Sequence, residues 1–135
     1  MITYRAAKFD DVEKIHKLLN DYAKAGLMLP RSRNAIYENL RDYIVAMQGS
    51  HLVGCGALHF VWDRLAEIRP LAVDPELKCT GIGRNIVELL EKEGIERGVK
   101  MFFTLTYQPG FFAKCNYIET AKEKLPQKVW KECVY

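Results

Sequence analysis

An α+β fold, a mixed sheet with helices on both faces, is what this sequence predicts, and three observations carry it. Apolar runs of strand length and stretches of helical period follow one another in the order strand, two helices, three strands, helix, strand, helix, strand. Two glycines, Gly81 and Gly83, stand between the fourth strand and the longest amphipathic stretch. The 135 residues, 49% hydrophobic and 27% charged, have globular proportions and suffice to bury a core without staples. Residues 1–135 are read as one domain.

Taken in order, "ITYRAA" has the apolar content of a short first strand. Asp10 and Glu13 then have capping-box spacing, and Val12, Ile15, Leu18, Leu19 and Tyr22 recur at three and four residues, which predicts a helix ending near Gly26. "LMLPRSRN" reads as a loop, with a short helix around "AIYENLRDY" after it. "YIVAMQGSHLVGCGALHF" is two apolar runs flanking "QGS", a hairpin. "RLAEIRPLAV" is a fourth strand, and Pro70 within it cannot donate to a ladder, so a bulge or a splayed edge is expected there. From Ile82 to Arg97 a helix buries Ile82, Ile86, Leu89 and Leu90, and shows Arg84, Glu88, Glu91 and Lys92 to water; Gly98 fits its stop. "MFFTLT" is an apolar run of buried-strand type, "PGFFAKCN" a short helix or turn, and "YIETA" a last strand. In the tail "KEKLPQKVWKECVY", Trp130 is expected to pack back on the body.

Bulk properties exclude several classes of function. Twenty basic residues against seventeen acidic ones leave +3, with no run of five like charges and no basic stripe of the kind nucleic acid requires. No stretch approaches the roughly 20 apolar residues of a membrane span, and "MITYRAAKFDD" lacks a signal-type apolar region. Cys55, Cys79, Cys115 and Cys133 have no paired spacing, and His16, His51 and His59 have no ligand spacing. The cysteines read as reduced thiols in the cytoplasm, and no metal site is expected.

The glycine turn is the most informative stretch. Glycines let a backbone approach phosphate oxygens, and the first free N–H groups of the following helix point the same way. A dinucleotide turn would follow the first strand and carry a third glycine, where this chain has Ile86. An NTP loop needs a lysine and a hydroxyl residue after its last glycine, where this chain has Arg84 and Asn85. A tight turn without a ligand remains open on spacing alone. "VDPELKCTGIGRNIVELL" resembles the acetyl-coenzyme A motif of the GNAT acetyltransferases, [Q/R]-x-x-G-x-[G/A], with Lys78 at the leading position. Lysine keeps a cation there but loses the planar fork.

That resemblance implies a mostly antiparallel sheet of six to seven strands, splayed between the fourth and fifth. It also implies acetyl-CoA as cosubstrate. The Lys78 cation and the backbone N–H groups of Cys79, Thr80, Gly81, Ile82, Gly83 and Arg84 would hold the pyrophosphate, and pantetheine would pair with the freed edge of the fourth strand at Leu71, Ala72 and Val73. It narrows further. "GLMLPRS", "GCGALHF", "AEIRPLAV", "FFTLT", "PGFF" and "EKLPQKVW" occur in this order in the glutamate N-acetyltransferase domain of N-acetylglutamate synthases, over about residues 1 to 131. Larger members carry a kinase-like domain ahead of it, so this chain resembles the short, stand-alone form. Domains of this kind often dimerise, and no residue here forces it.

Acyl transfer to an amine needs a neutral nitrogen, and a free α-amino group is mostly protonated at neutral pH. Glu67 stands at even spacing from Leu71 and Val73, which in a regular strand puts all three on one face. In the family, the glutamate at this position is the favoured general base; a surface glutamate paired with arginine is the alternative. By the same resemblance, Arg31, Ser32 and Arg69 would bind the carboxylates of glutamate, because paired arginines orient a dicarboxylate. The oxyanion would meet the Leu71 N–H. Many members place a tyrosine acid where this chain has Phe112, which is expected to pack on pantetheine instead, leaving Thr106 or Tyr107 to donate a proton. Two alternatives stay open: an acetyltransferase for another small or protein amine, and a catalytically silent acyl-CoA-binding module.

Overall fold

The computed structural model describes residues 1–106 and 108–118. A five-stranded sheet runs β1 (Thr3–Ala6), β2 (Tyr43–Gln48), β3 (His51–Trp62), β4 (Leu65–Val73) and β5 (Met101–Phe103), in that spatial order. The first four strands are antiparallel neighbours, and β5 alone is parallel to β4. Five strands among the described residues correct the expected six to seven. The last three residues of "YIETA", 119–121, lie outside the described residues, as do Tyr107 and Trp130, and Tyr117 and Ile118 are not in a strand.

Helix α1 (Val12–Lys24) and helix α2 (Arg33–Glu38) cover one face, and helix α3 (Ile82–Glu96) the other. On α1 the five expected apolar positions, Val12, Ile15, Leu18, Leu19 and Tyr22, are all buried. Its start differs from the expected capping box. Asp11 Oδ2 accepts the Lys8 N–H at 2.7 Å and pairs with Arg5, while the Glu13 carboxylate is taken by Arg33 Nε, also at 2.7 Å. Ser32 caps α2, its Oγ accepting the Ala35 N–H at 3.1 Å. On α3, Ile82, Ile86, Val87 and Leu90 are buried, but Leu89 is 36% exposed, a correction to its expected burial. Gly98 ends this segment at φ 98°.

Two strand glycines set how closely α3 lies on the sheet. A Cβ on Gly56 would stand 2.7 Å from Ile86 Cγ2, and one on Gly54 would stand 3.1 Å from Ile82 Cγ2. The helix therefore rests on bare backbone at "GCG", with Cys55 facing the opposite core.

The expected irregularity at Pro70 is present. Leu58 pairs with Ile68 and Gly56 with Leu71, so Arg69 and Pro70 together face the single residue Ala57: a β-bulge. Their peptide bond is cis. β5 accompanies β4 only from Leu65 to Glu67, and its partner sequence was expected to run to Thr106. Beyond Glu67 the two segments part, leaving the C-terminal half of β4 with an open outer edge.

No helix among the described residues is long and apolar enough to cross a membrane. No group of three His, Cys, Asp or Glu among them could hold a metal ion.

Candidate active-site cleft

The parting of β4 from β5 opens a cavity of about 1290 Å³. One wall is β4 from Ile68 to Val73; the others are the loop carrying Arg31 and Ser32, the glycine turn, and the segment around helix α4 (Pro109–Lys114). Most residues singled out from sequence line it, among them Arg31, Arg69, Leu71, Lys78, Arg84 and Thr106.

The glycine turn is built as the spacing suggested. Gly81 caps α3 at φ 91°, a conformation that penalises any side chain, and Cys79 is also left-handed at φ 66°. Asn85 N makes the first helical bond, to Gly81 O at 3.0 Å, so the N–H groups of Ile82, Gly83 and Arg84 lie at the open end of a 15-residue helix. Thr80 Oγ1 donates to Leu77 O and ties the turn back on itself. The Ile82 side chain points away into the core, and neither it nor Thr80 lines the cavity. Lys78 Nζ lies 5.3 Å from the centre of the Tyr22 ring, which holds that cation at the rim.

Phe111 rather than Phe112 covers the turn. A Cβ on Gly83 would meet Phe111 Cζ at 3.1 Å, so glycine is what admits this ring. Phe112 is buried and packs edge-on against both Phe111 and Tyr117, at 5.0 and 5.3 Å between ring centres.

The bulge changes which face Glu67 presents. Glu67 pairs with His59 and Ala72 with Cys55, on the α1 side, whereas Leu71 and Val73 pair with Gly56 and Gly54, on the α3 side. The even-spacing argument is thus overturned: one extra residue in β4 moves Leu71 and Val73 to the face opposite Glu67. Glu67 is 1% exposed and does not line the cavity; Arg69 Nε stands 3.6 Å from its Oε2. His59 Nδ1, on the same face, is 2.9 Å from Asp42 Oδ2.

Arg31 faces this group from the α1 side. Burial pushes its guanidinium below the ordinary arginine value and the Arg69 charge adds to that, while Tyr43 and Glu67 act in the opposite sense. An arginine so placed remains a cation in a partly dry site, where a carboxylate is worth more to it than in water. Burial also raises the Tyr43 hydroxyl, keeping it protonated, and pushes the Cys55 thiol up to about 12. Burial raises the Cys115 thiol as well, so neither cysteine is a ready nucleophile.

Two residues not singled out for the site belong to it. Thr104 Oγ1 donates to Ile68 O at 2.9 Å, at the point of parting. Tyr22 OH donates to Val73 O at 2.8 Å and accepts from Val73 N at 2.9 Å. In the sequence Tyr22 reads only as an apolar helix position; the hydroxyl on an otherwise apolar face is the one available signal. Thr106 Oγ1 accepts the Gln108 N–H at 2.8 Å, which leaves its own proton for another partner.

Known proteins resemble this chain along most of its length. The Acetyltransferase (GNAT) family model matches residues 12–117. An uncharacterized N-acetyltransferase of Chlorobaculum tepidum is 43% identical, over 96% of this chain and 83% of its own. The amino-acid acetyltransferase of Mycobacterium tuberculosis is 34% identical, over 95% and 75%. Among solved structures, a Mycobacterium tuberculosis protein in complex with CoA superposes with a TM-score of 0.87 at 33% identity, over 96% of this chain and 80% of that one. N-acetylglutamate synthase from Neisseria gonorrhoeae, complexed with coenzyme A and N-acetyl-glutamate, gives 0.91 at 24% identity; the match takes 98% of this chain and 32% of that one, and speaks for the fold alone.

Proposed function

The chain belongs to the acetyltransferase (GNAT) family, and on that premise we propose that it moves an acetyl group from acetyl-CoA to the α-amine of an amino acid, with L-glutamate as the acceptor. The observation that carries this reading is one cavity holding both the glycine turn with its open helix end and two arginines, Arg31 and Arg69. The first suits a pyrophosphate and the second a dicarboxylate. The amino-acid acetyltransferase relative supports the acceptor class.

In this reading the pyrophosphate rests on the N–H groups from Cys79 to Arg84 with the Lys78 cation beside it, and pantetheine runs along the open edge of β4. Arg31 and Arg69 take the acceptor's carboxylates, with the Ser32 O–H still able to donate because its oxygen serves the helix cap as acceptor. The amine nitrogen attacks the thioester carbon, forming a C–N bond; the Leu71 N–H meets the developing oxyanion; collapse breaks the C–S bond and releases the CoA thiolate. Glu67 receives the amine proton. Because it is buried and off the cavity wall, it does so through an intervening water. Thr106 returns a proton to sulfur and Phe112 packs on pantetheine, a reading supported by both residues lining the cavity.

The test follows CoA release and acetylated product by mass spectrometry over a panel of amino acids and simple amines. A preference for glutamate that falls on the order of 100-fold or more in kcat in Glu67→Gln is expected. Preference for a monocarboxylic or uncharged amine would discard the arginine clamp. Acetyl-CoA binding without any product would assign the cleft to a sensing module.

A further inference from the structure

Tyr22 stands where the cofactor is expected to pair. Asp74 N donates to Val53 O at 2.8 Å, across the ladder to β3. Strand alternation therefore turns the N–H and C=O of Val73 the other way, toward the space β5 has left. The Tyr22 hydroxyl fills that position and bonds both groups, at 2.8 and 2.9 Å. It can reach them from α1 because β5 pairs with β4 no further than Glu67, six residues earlier. The ring is 5% exposed, its hydroxyl bonds are buried, and Tyr22 lines the same cavity as the glycine turn.

A carbonyl oxygen has two lone pairs and can take a second donor, but a backbone N–H has one proton. An amide carbonyl of pantetheine can accept from Val73 only if the tyrosine oxygen gives that proton up. We infer that Tyr22 is a positioning residue that occupies the Val73 edge of β4 while the cleft is empty, and that its hydroxyl is exchanged for pantetheine when CoA binds. In the empty protein it satisfies two backbone groups and holds the end of β4 in strand geometry; in the complex the cofactor does both. The exchange lowers the net affinity for CoA, because one pair of hydrogen bonds is broken as another is made. This inference rests on the cofactor reading above, and its test separates the two.

Affinities of wild type and Tyr22→Phe are measured by calorimetry for CoA and for adenosine 3′,5′-bisphosphate, which has the nucleotide end without pantetheine. Phenylalanine fills the same space but leaves the Val73 groups free, so CoA should bind about three- to tenfold more tightly to the variant, with the bisphosphate unchanged. In the wild-type protein, the Tyr22 Cζ resonance should shift on adding CoA and stay fixed on adding the bisphosphate; this reading holds whether or not the variant folds. CoA affinity that is unchanged or weaker in Tyr22→Phe, or a Cζ resonance indifferent to CoA, would mean that the tyrosine keeps its bonds in the complex, and would overturn the exchange while sparing the proposed function. Failure of CoA to bind the wild-type protein would overturn both.

Discussion

Thr104 and Ile68 close the point at which β4 and β5 part: the threonine Oγ1 donates to the Ile68 carbonyl at 2.9 Å, one residue beyond the last ladder pair, Glu67 with Phe103. A side chain replaces a backbone donor there, so the chain can leave the sheet without orphaning the carbonyl beside the bulge. Thr104→Val, which keeps the shape and removes the donor, should destabilise the protein by about 1 kcal/mol. Thermal unfolding should show this as a midpoint lowered by about 4 °C. An unchanged midpoint would mean that water takes over the carbonyl.

Arg31 is the cation set among Tyr43, Glu67 and Arg69 in the cleft. Arg31→Ala should raise the KM for glutamate by about 10- to 100-fold and leave the KM for acetyl-CoA within about twofold. Arg31→Lys should recover little of the loss, because lysine has no fork to grip a carboxylate with two parallel bonds. Equal effects of the alanine change on both substrates would point to a collapsed cleft instead of a lost clamp.

Gly56 tests the packing that carries the glycine turn. An alanine Cβ would sit 2.7 Å from Ile86 Cγ2 and 3.3 Å from Leu90 Cδ1, both on the buried face of α3. Gly56→Ala should cost about 1–3 kcal/mol through overpacking. Denaturant unfolding with an unchanged slope and a lowered midpoint is the expected signature.

Arg5 and Asp11 give a pH signature independent of the cleft. Two guanidinium hydrogen bonds, at 2.7 and 3.0 Å, hold the Asp11 carboxyl below the usual carboxylate range; the Lys8 N–H helps and burial opposes. A carboxyl depressed in the folded state stabilises the fold fully above its unfolded pKa of about 3.9, and the contribution is lost as pH falls through the lower folded value. Wild type should therefore lead Asp11→Asn by about 1–3 kcal/mol near pH 6. Unfolding midpoints measured downward from pH 6 should converge below about pH 4. A constant gap across that range would show that packing, not charge, makes the difference.

Much of the site was legible because its signals are local. The left-handed Gly81, the open end of α3 and the irregularity at Pro70 each follow from what a single residue or its neighbours can do with the backbone. The start of α1 was misread for the opposite reason. Asp10 has the spacing of a cap on paper, but the carboxylate that closes the turn before α1 is that of Asp11, which accepts the Lys8 N–H and is gripped by Arg5, on a strand. Glu13, assigned to the same box, answers instead to Arg33, twenty residues away.

What the sequence determined by itself is the order of elements, the apolar face of α1, and a glycine turn aimed from the end of a strand into a long helix, since these depend on period and on the steric freedom of individual residues. The tertiary structure alone decided that Glu67 shares a face with His59 and not with Leu71, and that Tyr22 sits on the Val73 edge. Both depend on register between segments remote in sequence. One inserted residue opposite Ala57 flips every side chain after it, and a hydroxyl finds a backbone 51 positions away only once β5 has left the space between them.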